Sequence, residues 1–288
     1  MIMSKTLSHA KIVPRRSSER GHASHGWLNS YHTFSFAQYY DPKFQNFGAL
    51  RVLNEDRVAP NTGFPTHPHR DAEIFSYILS GELTHRDSMV SKKGDAGASK
   101  NDFYRMHRGD VQFTTGGTGI AHSEQNEHNK DEVHFLQIWA LPWKRSLPPN
   151  YHTSTFAEES KRNKFATIIS PLKAGIKATA EEEKAAVPVI EGTVPIHADL
   201  LMGASIISKG SSAVWRIGGN NAVTSKSNRN VYVHLPIAKM GAKLRLAGGE
   251  TVLNEGDGAF VSQVNAGDEL TFESVGDGEA EVVVLDSN

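Results

Sequence analysis

Two short words in this 288-residue chain carry side chains able to bind a metal, Thr66-His67-Pro68-His69-Arg70 and His122-Ser123-Glu124. Each places two donors at positions i and i+2, which share one face of an extended strand. If the two strands are neighbours inside a barrel, His67, His69, His122 and Glu124 converge on one point. Three imidazoles and one carboxylate suit Fe(II), Mn(II), Ni(II), Cu(II), Co(II) or Zn(II). Four protein ligands leave two positions of an octahedron open, as a non-haem iron oxygenase needs for O2 and substrate, so Fe(II) is the expected metal. The chain has no cysteine, which excludes disulfides, thiolate zinc sites, iron–sulfur clusters and cysteine nucleophiles.

A single His-x-His among 14 histidines is a weak signal. It gains weight from the later His-x-Glu preceded by GGTGIA, from Gly63 ahead of the first pair, and from Gly81 after the following strand. His9, His22, His25, His85, His107, His128, His134, His152, His197 and His234 are discounted as lacking a partner at ligand spacing, apart from His22 and His25, which are close together in an expected loop. They read as surface or hydrogen-bonded histidines. Glu73 follows His69 by four residues, and on a regular strand it would share the face of His67 and His69. That makes Glu73 a second candidate ligand, or an acceptor for an imidazole N–H.

The elements that must hold these residues are strands. GALRVL, EIFSYILSGELTHRD, DVQFTT and HFLQIWAL lie between Gly, Asp, Asn and Pro punctuation. EIFSYIL is apolar on both faces, as an inner strand of a closed barrel would be. Pro142, Pro148 and Pro149 favour an extended connector, which sets a domain boundary near Ser146. The expected organisation is a metal-binding barrel over 1–146 and a second barrel over 147–288. KATAEEEKAAVPVIEG suits an exposed helix or loop, and strands resume at LLMGASIIS, SAVWRI, NVYVHLPI, GAFVSQV and EAEVVVLD. The polar, lysine- and glycine-rich stretch from Asp87 to Val111 reads as a surface insertion, with a lid over the site as the functional alternative.

Formal charge is −1, from 31 basic and 32 acidic residues, so no overall field favours nucleic acid or an anionic membrane. The opening MIMSKTLSHAKIVPRR lacks an apolar signal region, and no long apolar run follows it. A cytoplasmic setting is expected, extending to the nucleus in a eukaryotic cell.

GFPTHPHRDAEIFSYILSGELTHRDSM and GDVQFTTGGTGIAHSEQN closely resemble the two signature segments of the pirin family and its bacterial quercetinases. The likeness extends upstream through GWLNSYHTFSFAQYYDPKFQNFGALRVLNED and, more loosely, downstream through HFLQIWALP and the second β region. It implies an all-β bicupin, two jelly-roll-type barrels with short helices, with one metal in the first barrel on His67, His69, His122 and Glu124. The second barrel is expected to bind none. This chain departs from the family around Val90 to Arg108 and at Asp71-Ala72, which bears on substrate access.

The resemblance implies a quercetin 2,3-dioxygenase-type oxidoreductase that cleaves a small aromatic, flavonol-like substrate with O2. A metal lowers the pKa of a bound hydroxyl, and Glu124 is the candidate ligand and base. Phe34, Phe36, Phe47 and Phe64 are candidates for an apolar pocket wall, and Arg70 either steers an anionic substrate or braces a loop carboxylate. The alternative reading is an iron-binding transcriptional cofactor, a redox-sensing module that meets a protein partner without physiological turnover.

Overall fold

The computed structural model describes residues 7–87, 104–220, 222–247 and 249–288. The chain begins with β1 (Lys11–Arg15), β2 (Gly21–Ser24), β3 (Leu28–His32), β4 (Leu50–Val58), β5 (Thr62–His69) and β6 (Glu73–Ser80). It continues through β7 (Leu83–Asp87), β8 (Tyr104–Met106), β9 (Asp110–Thr115), β10 (Ile120–Asn126), β11 (Val133–Ala140) and β12 (Asn150–Thr155). The all-β expectation holds: the segments read as strands are strands. Within β6 every residue from Glu73 to Leu79 is buried, as its two apolar faces require.

Contact density divides the chain into two units. The first comprises Gly21–Gln45 and Arg51–Thr155. It is built from a seven-stranded sheet in the order β12-β9-β6-β11-β4-β3-β2 and a four-stranded sheet in the order β5-β10-β7-β8. Leu28, Val58, Ile78, Leu83, Val133 and Phe135 form a core cluster within it. Each such buried side chain contributes about 1.5–3 kcal/mol.

The second unit contains β1, Asn46–Leu50 and everything from Phe156 to Asn288. Its later strands are β13 (Ala166–Pro171), β14 (Val194–Ile196), β15 (Leu200–Ile207), β16 (Ser212–Arg216) and β17 (Arg229–His234). They are followed by β18 (Lys243–Leu246), β19 (Val252–Asn254), β20 (Gly258–Val264), β21 (Glu269–Ser274) and β22 (Ala280–Ser287). It repeats the seven-plus-four plan, with orders β1-β20-β17-β22-β15-β13-β14 and β16-β21-β18-β19. The predicted exposed helix is a short one, Ala180–Ala185, capped by Thr179 and Glu182.

The prolines put a boundary at Ser146, whereas strand pairing draws the units differently. β12 lies beyond Ser146 yet pairs with β9, and β1 crosses in sequence to pair with β20. Backbone ladders of long sequence separation carry no local signal. In the second unit the guanidinium of buried Arg229 pairs with Asp286 and Asp199, each at 2.9 Å. Trp215 Nε1 and the Gly218 N–H also donate to Asp286. The charges of Arg229, Asp199 and Asp286 are thus paired within the protein.

Candidate metal centre

The site lies in the four-stranded sheet of the first unit. Burial alternates along β10, so Ile120, His122, Glu124 and Asn126 turn inward. On β5, His67 lies opposite His122 and His69 opposite Ile120. The register then slips: three steps from His67 to Phe64 match two from His122 to Glu124, so β5 carries an extra residue at Pro65 and Thr66. This bulge re-aims the His67–His69 end of the strand. Gly63 permits the close pairing beyond it, because a Cβ there would sit 2.3 Å from the Glu124 carbonyl oxygen.

Donor nitrogens of His67, His69 and His122 lie within 4.8 Å of one another. The Nε2 atoms of His67 and His122 are 3.1 Å apart. Two nitrogens each about 2.1 Å from one metal, at right angles, would be separated by about 3 Å. Nδ1 of His67 is 2.8 Å from the Pro65 carbonyl, to which it donates, leaving the Nε2 lone pair for a metal. Nδ1 of His122 is buried without a hydrogen bond. Burial, then the neighbouring His85, His69 and His67, lowers the His122 pKa to about 2. Burial and then His67 and His85 lower that of His69 to about 4. Both imidazoles are therefore neutral near neutral pH, the form that binds metals. The donor set fits a metal.

Glu124 shares the strand and the inward face, but its carboxylate stands outside this three-histidine cluster. It is fully buried, with Ser76 Oγ donating to Oε1 at 3.0 Å and Gln137 Nε2 donating to Oε2 at 3.1 Å. Ser76 and Gln137 are register partners on β6 and β11, so the seven-stranded sheet grips the carboxylate.

A second cluster, His85, Asp87 and His122, adjoins the first. On β7, Asp87 pairs with His122 and His85 with Glu124. His85, read from the sequence as a surface or hydrogen-bonded histidine, is fully buried; neither ring nitrogen is hydrogen-bonded, and Nε2 is 3.5 Å from Asp87 Oδ2. The signal for it was available, since His85-Arg86-Asp87 has the same i, i+2 spacing as the two recognised words.

Glu73 is absent from both clusters. The strand does not run straight from His69: Asp71 adopts φ 51°, its carboxylate accepts the Ser146 N–H, and Glu73 starts β6 in the other sheet. There Thr115 Oγ1 donates to Glu73. The break at Asp71 removes the common strand on which Glu73 would share a face with His67 and His69.

Of the four phenylalanines, Phe64 lies 6.4 Å from the His67 ring, and Phe36 packs on Trp139, whose ring is 5.0 Å from that of His69. Phe34 is buried, and Phe47 belongs to the second unit, where it packs on Phe260. Arg70 Nε lies 3.8 Å from the Asp71 carboxylate. The lid reading falls mostly on residues 88–103, outside the described residues. No helix among the described residues is long and apolar enough to cross a membrane.

Residues 14–140 match the family described as Pirin. The chain is 45% identical over 145 residues to an Escherichia coli protein named quercetin 2,3-dioxygenase, covering 50% of this chain and 58% of that protein. It is 34% identical over 273 residues to a Zymomonas mobilis protein to which the same activity is provisionally ascribed, covering 95% and 97% of the two chains. Among solved structures, the E. coli bacterial pirin YhhW in complex with nickel(II) superposes with a TM-score of 0.74 at 29% identity, covering 96% of this chain and 99% of that one. With these likenesses spanning both β units and the histidine-bearing strands, the chain belongs to the pirin family.

Proposed function

We propose that this protein is a metal-dependent dioxygenase that cleaves flavonols such as quercetin with O2, using one metal, Fe(II), held by His67, His69, His122 and Glu124. The observation that carries this reading is the 3.1 Å approach of two imidazole Nε2 atoms on facing strands, one fixed in tautomer by the Pro65 carbonyl. Ser76 and Gln137 each occupy one lone pair on a separate Glu124 oxygen, which leaves acceptor capacity on both for a metal or a proton. The metal, when bound, supplies Lewis acidity toward a flavonol hydroxyl and a place for O2.

The residues supply the rest. Glu124 accepts the hydroxyl proton at a buried carboxylate held in place by Ser76 and Gln137. Phe36, Phe64 and Trp139 present apolar surface beside the histidines, suited to a flat aromatic ligand. The relatives' names support the substrate class, and the nickel(II) complex of YhhW supports metal binding in the family.

The test is metal analysis of purified protein, anaerobic Fe(II) reconstitution, and oxygen uptake with quercetin. Wild type is expected to hold about one metal per chain and to consume oxygen, and Glu124→Ala to lose turnover by about two orders of magnitude or more. Metal-loaded wild type that consumes no oxygen with any flavonol would sink the dioxygenase reading and leave the metal site standing.

A further inference from the structure

One wall of the same interior carries polar groups that the proposed ligand set leaves unused. The hydroxyl of Tyr151, on β12, is buried and has no hydrogen-bond partner. His85 is fully buried; neither ring nitrogen is hydrogen-bonded, and its Nε2 faces Asp87 Oδ2 at 3.5 Å. The two rings are 5.2 Å apart, and the ring of His85 is 4.8 Å from that of His122. Tyr151 also stacks on Tyr104 at 4.5 Å, which holds its ring plane. A ladder of rings thus runs from the three-histidine cluster through His85 to a phenol. Tertiary pairing of β12 with β9 places Tyr151 there, opposite Thr114, although it lies far from the histidine words in sequence.

Leaving a hydroxyl buried without an acceptor is unfavourable, and replacing it by an apolar group of the same shape is close to neutral or stabilising. Packing alone therefore gives no reason for tyrosine over phenylalanine at this position. Burial, then Tyr104, Asp87 and Glu124, push the phenol pKa up, so the group stays a proton donor across the working range. What it lacks is an acceptor.

We propose that Tyr151, with His85 beside it, forms a hydrogen-bonding subsite for the acceptor atom of an anionic ligand held at the three-histidine centre. This rests on the metal reading and adds to it a specificity-determining donor. Ligands with an anionic oxygen or nitrogen gain a short hydrogen bond from Tyr151 that a neutral apolar ligand cannot accept.

The test uses the full chain loaded with Co(II), titrated with sodium azide and followed by visible absorption. Tyr151→Phe is compared with wild type, with His85→Gln, and with Tyr104→Phe as the control that keeps the stack. For Tyr151→Phe, cobalt content is expected to stay at the wild-type level and the melting temperature of the metal-free protein to stay equal or rise. Its azide Kd is expected to rise about tenfold, which corresponds to about 1.4 kcal/mol. His85→Gln should weaken azide as well, and Tyr104→Phe should leave it unchanged. A cobalt-loaded wild type that binds no azide, or a Tyr151→Phe protein with wild-type azide affinity, would overturn the subsite. A Tyr151→Phe protein whose melting temperature drops would assign Tyr151 to structure and overturn it too. A wild type that takes up no cobalt is a different result: it would overturn the metal reading and the subsite with it.

Discussion

The four-stranded sheets of the two units have comparable breadth, and they turn opposite chemistry inward. β16, β21, β18 and β19 bury Trp215, Leu244, Leu246, Leu253, Leu270 and Phe272 in one apolar cluster. β5, β10 and β7 set His67, His69, His122, Glu124, His85 and Asp87 around a polar interior. The buried polar groups at the centre of each unit differ as well. Asp286, in the second unit, receives hydrogen bonds from Trp215, Gly218 and Arg229. In the first, His122 Nδ1, both nitrogens of His85 and the Tyr151 hydroxyl lack hydrogen bonds. Burying such groups without partners costs stability. The four-stranded sheet of the second unit turns packed apolar side chains inward, whereas that of the first keeps buried donors and lone pairs beside its histidines.

The comparison breaks most sharply at His122, which belongs to both donor clusters. His122→Ala is expected to lower metal affinity by more than about 100-fold, beyond the 10–100-fold that loss of an outer partner brings. Elemental analysis after dialysis against a weak chelator reads this, and retention of a full equivalent would show that His122 is no ligand. The converse change puts an imidazole into the packed unit. Phe272→His should cost about 3–5 kcal/mol, read from denaturant unfolding, because it exchanges a fully buried ring for a polar one with no partner, and it should create no metal site. A fully stable Phe272→His protein would mean that the second core tolerates polar groups and that the contrast between the units is not energetic.

A smaller effect is expected at the carboxylate's support. Gln137→Leu removes the donor to Glu124 Oε2 and should weaken metal binding by about 10-fold, with little change in the fold of either sheet. If Glu124 is not a ligand, Gln137→Leu will leave metal affinity unchanged, so isothermal titration with a divalent metal sharpens the assignment of that residue.

What was legible in the sequence follows from range. Alternation and i, i+2 spacing are local, so the strands, the His67–His69 pair and the His122–Glu124 pair could all be read from it. The convergence of the three histidines also followed, because β5 and β10 pair directly. Three features were not legible. The turn at Asp71 that diverts Glu73 into the other sheet depends on a tertiary bond from the Ser146 N–H. The membership of β1 in the second unit and of β12 in the first depends on ladders to β20 and β9. Tyr151 joins the site only through that second ladder. His85 and Asp87 are a different case, a local signal, because they stand at the same i, i+2 spacing as the other two pairs.

The smallest expected effect is a pH dependence of the metal-free protein, and its sign follows from the lowered histidines. His69 and His122 titrate at about 4 and about 2 in the folded chain, against about 6.5 when unfolded. Between those limits the unfolded chain binds more protons than the folded one, so stability is full above about pH 6.5 and declines as pH falls toward 4. A fully developed difference of one proton changes the folding constant about tenfold per pH unit, and solvent screening makes the contribution of half-buried His69 shallower than that of His122. Urea midpoints measured from about pH 7.5 down to 5 should therefore fall, and His122→Gln should flatten the slope while leaving the second unit's apolar sheet untouched. A slope unchanged in His122→Gln would mean that the folded protein already protonates His122, and the polar sheet would then differ from the packed one in composition but not in readiness to bind.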